Sequence, residues 1–97
     1  MSAANYWQQV AAEVIDRFPA TAGRGTPEAP GLAIPVDFRT VLVLRPTDVD
    51  ASVRVAVETP NGVERASVDM SNVPPFAVVA MLETLAEVRT QRTADYS

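Results

Sequence analysis

The stretch SVRVAVETPNGVERASVDM, Ser52 to Met70, decides the fold class of this chain. Val53, Val55 and Val57 alternate with polar or small residues, Ala66, Val68 and Met70 do the same, and Thr59-Pro60-Asn61-Gly62 separates the two runs. Period-two alternation on both sides of a turn signal is the pattern of a β-hairpin. A two-residue type I′ loop at Asn61-Gly62 predicts a register in which Val57 faces Ala66, Val55 faces Val68 and Val53 faces Met70. All six then share one face, and the other face sets Glu58 against Arg65 and Arg54 against Asp69. Each of these opposite-charge pairs is worth roughly 0.2–1 kcal/mol. Pro60 has no N–H and suits the second position of a type I turn with Gly62 left-handed, which shifts the register by one. That shift would set the three valines opposite Arg65, Ser67 and Asp69 unless a second bulge restored the phase, so the first register is the expected one.

Outward from the hairpin, Phe38 to Arg45 is apolar and β-branched, with Val41 and Val43 on one face and Leu42 and Leu44 on the other. This reads as a strand buried on both sides, ended by Pro46-Thr47-Asp48. Residues 36–70 are thus expected to form a three-stranded antiparallel meander. Pro19 to Pro35 is broken by prolines and glycines and reads as a long loop, mobile in its front half and anchored at its end by Leu32 and Ile34.

Tyr6, Trp7, Val10, Ala11, Val14, Ile15 and Phe18 recur at three- and four-residue spacings, so residues 3–18 form an amphipathic helix that Pro19 stops. Ser71-Asn72-Val73-Pro74-Pro75 is a helix start signal. The second helix runs over 74–92, and residues 93–97 form a frayed tail. Phe76 to Leu82 is continuously apolar, which implies burial from several sides. The whole reading is one α+β domain, 1–97, in the order α-β-β-β-α.

Composition narrows the chemistry. The chain has 97 residues, 47% hydrophobic and 21% charged, with a formal net charge of −4 and a pI near 4.6. Such a balance belongs to a globular protein and opposes non-specific attraction to nucleic acid or to an anionic membrane. There is no cysteine, histidine or lysine. Disulfides, thiolate or imidazole metal sites, cysteine and histidine nucleophiles, Schiff bases and the phosphate-loop lysine are all excluded. Arginine as the sole cationic side chain, beside abundant Ala and Val, has the look of GC-rich coding, as in an actinobacterium or one of its phages. The first residues carry no basic stretch followed by an apolar run and cleavage site, and no apolar run approaches the ~20 residues a bilayer needs. A cytosolic or virion-associated protein is expected.

The remaining constellations favour bland roles. Glu83 and Glu87 share a helix face but lack a third ligand, and Asp48 and Asp50 lack the spacing of a calcium loop. Arg24 between Gly23 and Gly25 lacks the helix that a phosphate-cradling loop requires. Tyr6 and Trp7 lie in the apolar stripe and read as core packing rather than a base-stacking platform. No catalytic residue, metal, cofactor or small-molecule ligand is indicated.

The order helix, three strands, helix resembles that of the double-stranded-RNA-binding fold. That family grips phosphates with a lysine-rich start to its second helix, whereas Ser71 to Phe76 here holds no cation, so no residue carries over. The surplus of apolar residues in the first strand and the second helix points instead to an interface, with a homodimer the default geometry. The expected function is a non-catalytic interaction or accessory protein that self-associates or binds another protein through Val78, Met81, Leu82 and Leu85. The alternatives are a nucleic-acid-associated regulator and an acidic inhibitor of a host protein.

Overall fold

A computed structural model describes residues 3–95, with side chains described over 5–88. It is an α+β fold in which helix α1 (Ala3–Arg17) and helix α2 (Pro75–Asp95) flank five strands, β1 (Ala22–Gly25), β2 (Pro30–Pro35), β3 (Val41–Pro46), β4 (Ser52–Glu58) and β5 (Glu64–Ser71). The strands form one antiparallel sheet in chain order, β1-β2-β3-β4-β5.

The class is as expected, but the sheet has five strands rather than three. The two added strands come from residues 19–35, whose prolines and glycines read as a loop. Gly25, at φ 88°, turns the chain, and Thr26 and Ala29 exchange backbone hydrogen bonds of 3.1 Å each. The prolines stand at the two ends of β2, where a missing N–H costs least, and leave Leu32 and Ile34 alternating between them. Both are buried against the helices, so the anchoring expected of them is achieved as strand pairing with Leu44 and Leu42. With five strands, the likeness to the double-stranded-RNA-binding order no longer holds.

The expected register of the main hairpin is present: Val53 pairs with Met70, Arg54 with Asp69, Val55 with Val68 and Val57 with Ala66. Its loop is not the expected type I′ pair. The Gly62 N–H donates to the Thr59 carbonyl at 2.9 Å, the Thr59 N–H donates to Val63, and Gly62 sits at φ 89°. Pro60 therefore occupies the second position of a four-residue turn, as its fixed φ prefers. The one-residue shift this causes is undone by a bulge, where Glu58 pairs with Glu64 and Arg65 is the extra residue. Glu58 consequently does not face Arg65.

The core lies between the helices and one face of the sheet. Val10 and Val14 of α1, Val78 and Leu82 of α2, and Leu42, Leu44 and Val53 of the sheet are fully enclosed, with Tyr6, Ile34, Val55 and Val79 beside them. The Tyr6 hydroxyl donates to the Val73 carbonyl at 2.6 Å, tying the start of α1 to the residues that launch α2. Burial raises the Tyr6 pKa above its ordinary 10.0. Phe38, expected to begin a strand, is instead exposed in the β2–β3 turn, where the Asp37 carboxylate accepts the Arg39 N–H and frees the chain to reverse. Helix α2 continues to Asp95, past the point where a frayed tail was expected; residues 96–97 lie outside the described residues.

Leu82→Ala should cost about 2–5 kcal/mol, because it opens a cavity in a fully enclosed site, whereas Met81→Ala at the half-buried neighbour should cost clearly less. Urea unfolding of the two variants measures both. Tyr6→Phe should cost about 1 kcal/mol by the same measurement, since it leaves the Val73 carbonyl without its donor.

Candidate interaction surfaces

The four residues expected to form the contact surface do not share one surface. Val78 and Leu82 are completely buried in the chain's own core, and Met81 and Leu85 are half-buried against it. Helix α2 is apolar over its first half because the sheet and α1 both pack on it. Of its first four apolar residues only Phe76, at 70% exposure, faces out. Phe76 rims a cleft of about 380 Å³ with Glu13, Asp16 and Arg17 of α1. Glu83 receives Arg17 at 3.6 Å, while Glu87 is exposed. Tyr6 is buried and Trp7 packs on the core. Asp48 and Asp50 lie exposed in a turn where the Thr47 hydroxyl accepts the Val49 N–H. Among the described residues no group of three or more acidic side chains could hold a metal ion.

The face of the sheet turned away from the helices holds charge. Its strongest feature is Glu58, only 3% exposed, with the Arg24 guanidinium at 3.0 Å and that of Arg45 at 3.7 Å. The register aligns Arg24 with Gly31, Arg45 and Arg54, so Glu58 lies three strands across and four residues along from it, about 20 Å away in a flat sheet. The contact therefore requires the sheet to curl towards this face. Arg24 also approaches the hairpin turn, where a Cβ placed on Gly62 would lie 3.3 Å from its guanidinium. The span from β1 to Glu58 passes across the strip that holds Val43 and Ala56, each 1% exposed although no helix lies on that side. The Arg24 and Arg45 side chains reach across this face to Glu58, and arginine stems can cover apolar surface while their heads stay wet. Arg24 is thus an anchor of the sheet and not part of a flexible loop.

Next to this triad, Arg45 and Arg54 stand directly opposite each other, a repulsive cross-strand pair. Each has a carboxylate partner: Arg45 reaches Glu58, four residues along β4 from Arg54, and Arg54 reaches Asp69 on β5. Arg54 holds Asp69 through two hydrogen bonds of 2.7 and 3.1 Å. That hydrogen bond raises the Arg54 pKa and lowers that of Asp69 below its ordinary 3.8. Arg45, Arg54 and Glu64 line a shallow cleft of about 240 Å³ with Pro46, Thr47 and Asp48. Arg24, Arg45 and Arg54 thus share this face with Glu58, Glu64 and Asp69.

The surface that sequence reasoning missed is β5. It is an outer strand bonded only to β4, and seven of its eight residues are exposed, Met70 being half-buried. Ala66 and Val68 point to the helix side of the sheet, yet Val68 remains 50% exposed because neither helix reaches that far. The signal in the sequence is the alternation of 66, 68 and 70, which sets their shared face but not whether a helix covers it. No protein-family model matches the chain, and no curated protein or solved structure shows significant similarity to it.

Arg24→Ala should destabilise the fold by about 1–3 kcal/mol, since it removes the nearer of the two guanidiniums that pair the buried Glu58 carboxylate, while Arg65→Ala should change little. Chemical denaturation compares the two. The Asp69 carboxyl binds its proton less tightly folded than unfolded, so its pair with Arg54 supports the fold above pH 3.8, and that support is lost as the pH falls through the lowered folded pKa. The stability difference between wild type and Asp69→Asn should therefore be present at neutral pH, shrink in strong acid and also shrink with added salt.

Proposed function

We infer that this chain is a small non-catalytic protein that acts by binding protein, and that the open edge of β5 is its contact element. The observation that carries the reading is the combination of an eight-residue outer strand, exposed almost throughout, with apolar side chains on the side a helix would cover. An uncovered edge presents a row of unpaired N–H and C=O groups that pair with another strand by backbone hydrogen bonding, and neighbouring side chains add selectivity. The absence of histidine, cysteine and lysine supports a stoichiometric role over a catalytic one. Helix α2 serves this function indirectly, as the support of the sheet, because its apolar residues are spent inside the chain.

A nucleic-acid-binding role has weaker support. The arginines gathered on the outer sheet face, Arg24, Arg45 and Arg54, are each within ion-pair distance of a carboxylate. Phosphate would have to compete with those partners, and the complex would weaken steeply with salt.

The test is Ser67→Pro, at the middle of β5. The Asn72 N–H donates to the Ala51 carbonyl, and bonded pairs alternate along the ladder, so the backbone groups of residues 66, 68 and 70 turn to β4 and those of Ser67 and Asp69 turn outward. Proline at 67 removes an outward N–H without breaking the sheet, a position where edge strands accept it. The variant should keep its circular dichroism spectrum and lose both self-association and co-purifying protein, whereas Phe76→Ser, on the helix side, should lose neither. A Ser67→Pro variant that behaves as wild type in both assays removes β5 from the function.

A further inference from the structure

The partner that β5 fits best is a second copy of itself. We propose that two chains pair antiparallel through β5 about a two-fold axis at Ser67, joining their sheets into one ten-stranded sheet with all four helices on the same side. The proposal rests on β5 being the contact element and adds the identity and register of its occupant.

The charges of the strand select this register. Directly opposed residues in an antiparallel pair lie on the same face, so a two-fold must fall on a residue, and the central candidates are 66, 67 and 68. An axis at Ser67 sets Arg65 against Asp69 of the other copy, and symmetry makes the pair twice. An axis at 66 or 68 instead sets Arg65 against Ser67 or Ser71 and forms no opposite-charge pair at these positions. Charges on an outer strand ordinarily repel a second strand; in this one arrangement they attract it. Arg65 is available for the role, since it is exposed and makes no ion pair among the described residues. Asp69 already holds Arg54 through both oxygens, and a carboxylate retains lone pairs for a second guanidinium.

The other face agrees. Ala66 of one copy lies opposite Val68 of the other, again twice, so the half-exposed Val68 gains an apolar neighbour on the side that no helix reaches. The outward backbone groups of Ser67 and Asp69 fall in phase, with Ser67 meeting its own copy as a bonded pair. The bulge at Arg65 limits the regular segment to residues 65–69. A contact this short lies at the small end of specific interfaces, and dissociation at roughly micromolar concentration is expected.

Cysteine substitution tests the register directly, because the natural chain has no cysteine. Cα atoms of a bonded antiparallel pair stand about 5.5 Å apart, within disulfide reach. Ser67→Cys should form a reducible dimer under mild oxidation, and Val68→Cys should not. Charge reversal tests the pairing: Arg65→Asp and Asp69→Arg should each weaken the dimer about tenfold or more in light scattering, and an equimolar mixture of the two should associate, because both mixed pairs are again of opposite charge. Cross-linking through Val68→Cys in preference to Ser67→Cys, or a mixture that stays monomeric while wild type dimerises, overturns the register. Wild type that remains monomeric up to roughly millimolar concentration, far above the expected dissociation range, overturns self-pairing. If Ser67→Pro nonetheless loses a co-purifying protein in that case, β5 remains the contact element and only its occupant is wrong.

Discussion

Two helices are too narrow for five strands. Val68 of β5 stays 50% exposed on the helix side, and β1 has no fully buried residue, so the helix layer stops short of both outer strands. The chain resolves this mismatch by centring the helices on β2, β3 and β4, whose inward residues Leu32, Ile34, Leu42, Leu44, Val53 and Val55 are all enclosed. The remainder falls on the outer strands, and they meet it differently. β1 is four residues long and rich in glycine, with no apolar side chain to hide beyond alanine. β5 is twice that length and carries Ala66 and Val68 into the uncovered margin.

The opposite face solves a second problem with charge. Without a helix layer, Val43 and Ala56 would meet water on that side, yet both are buried. The curl that brings β1 within reach of β4 carries arginine side chains across this face, and Glu58 fixes their heads. Burying a carboxylate is costly unless it is paired, and two guanidiniums supply that pairing from one side. The same triad explains why β1 belongs to the sheet at all: with so little apolar area of its own, its attachment depends on its ladder to β2 and on Arg24.

Those features mark the boundary of what could be read from the residues. The hairpin register was legible because six alternating apolar residues and one opposite-charge pair agree on it. The turn was misassigned because Pro60 and Asn61-Gly62 demand different loops, and only three-dimensional closure shows that the proline prevails and a bulge repairs the phase. The β1–β2 hairpin was hidden by prolines that break a strand when they fall inside it and merely end it when they fall at its limits, as Pro30 and Pro35 do. In α2 the apolar run is buried through Val78, Val79 and Leu82, on the side of α1 and the sheet, while Phe76 and Ala80 stay exposed. The error lay in reserving part of that burial for another molecule, when α1 and the sheet already take Val78 and Leu82. No local pattern reveals how wide a sheet its helices must cover, and that width is what moves the surplus from the helix to β5.

What distinguishes β5 from an ordinary protected edge is the relation between its two alternations. If its helix-side face were destined only for water, polar residues at 66 and 68 would serve the chain better, since apolar side chains on a bare edge invite unwanted pairing. Ala66 and Val68 keep instead the pattern of the covered strands, one strand beyond the cover. The polar alternation is equally ordered: Arg65, Ser67 and Asp69 read plus, neutral, minus, which is its own complement when reversed. A strand guarded by charges of one sign would repel every copy of itself in every register. This one repels or ignores most registers and complements one, a combination that gives an edge selectivity rather than protection.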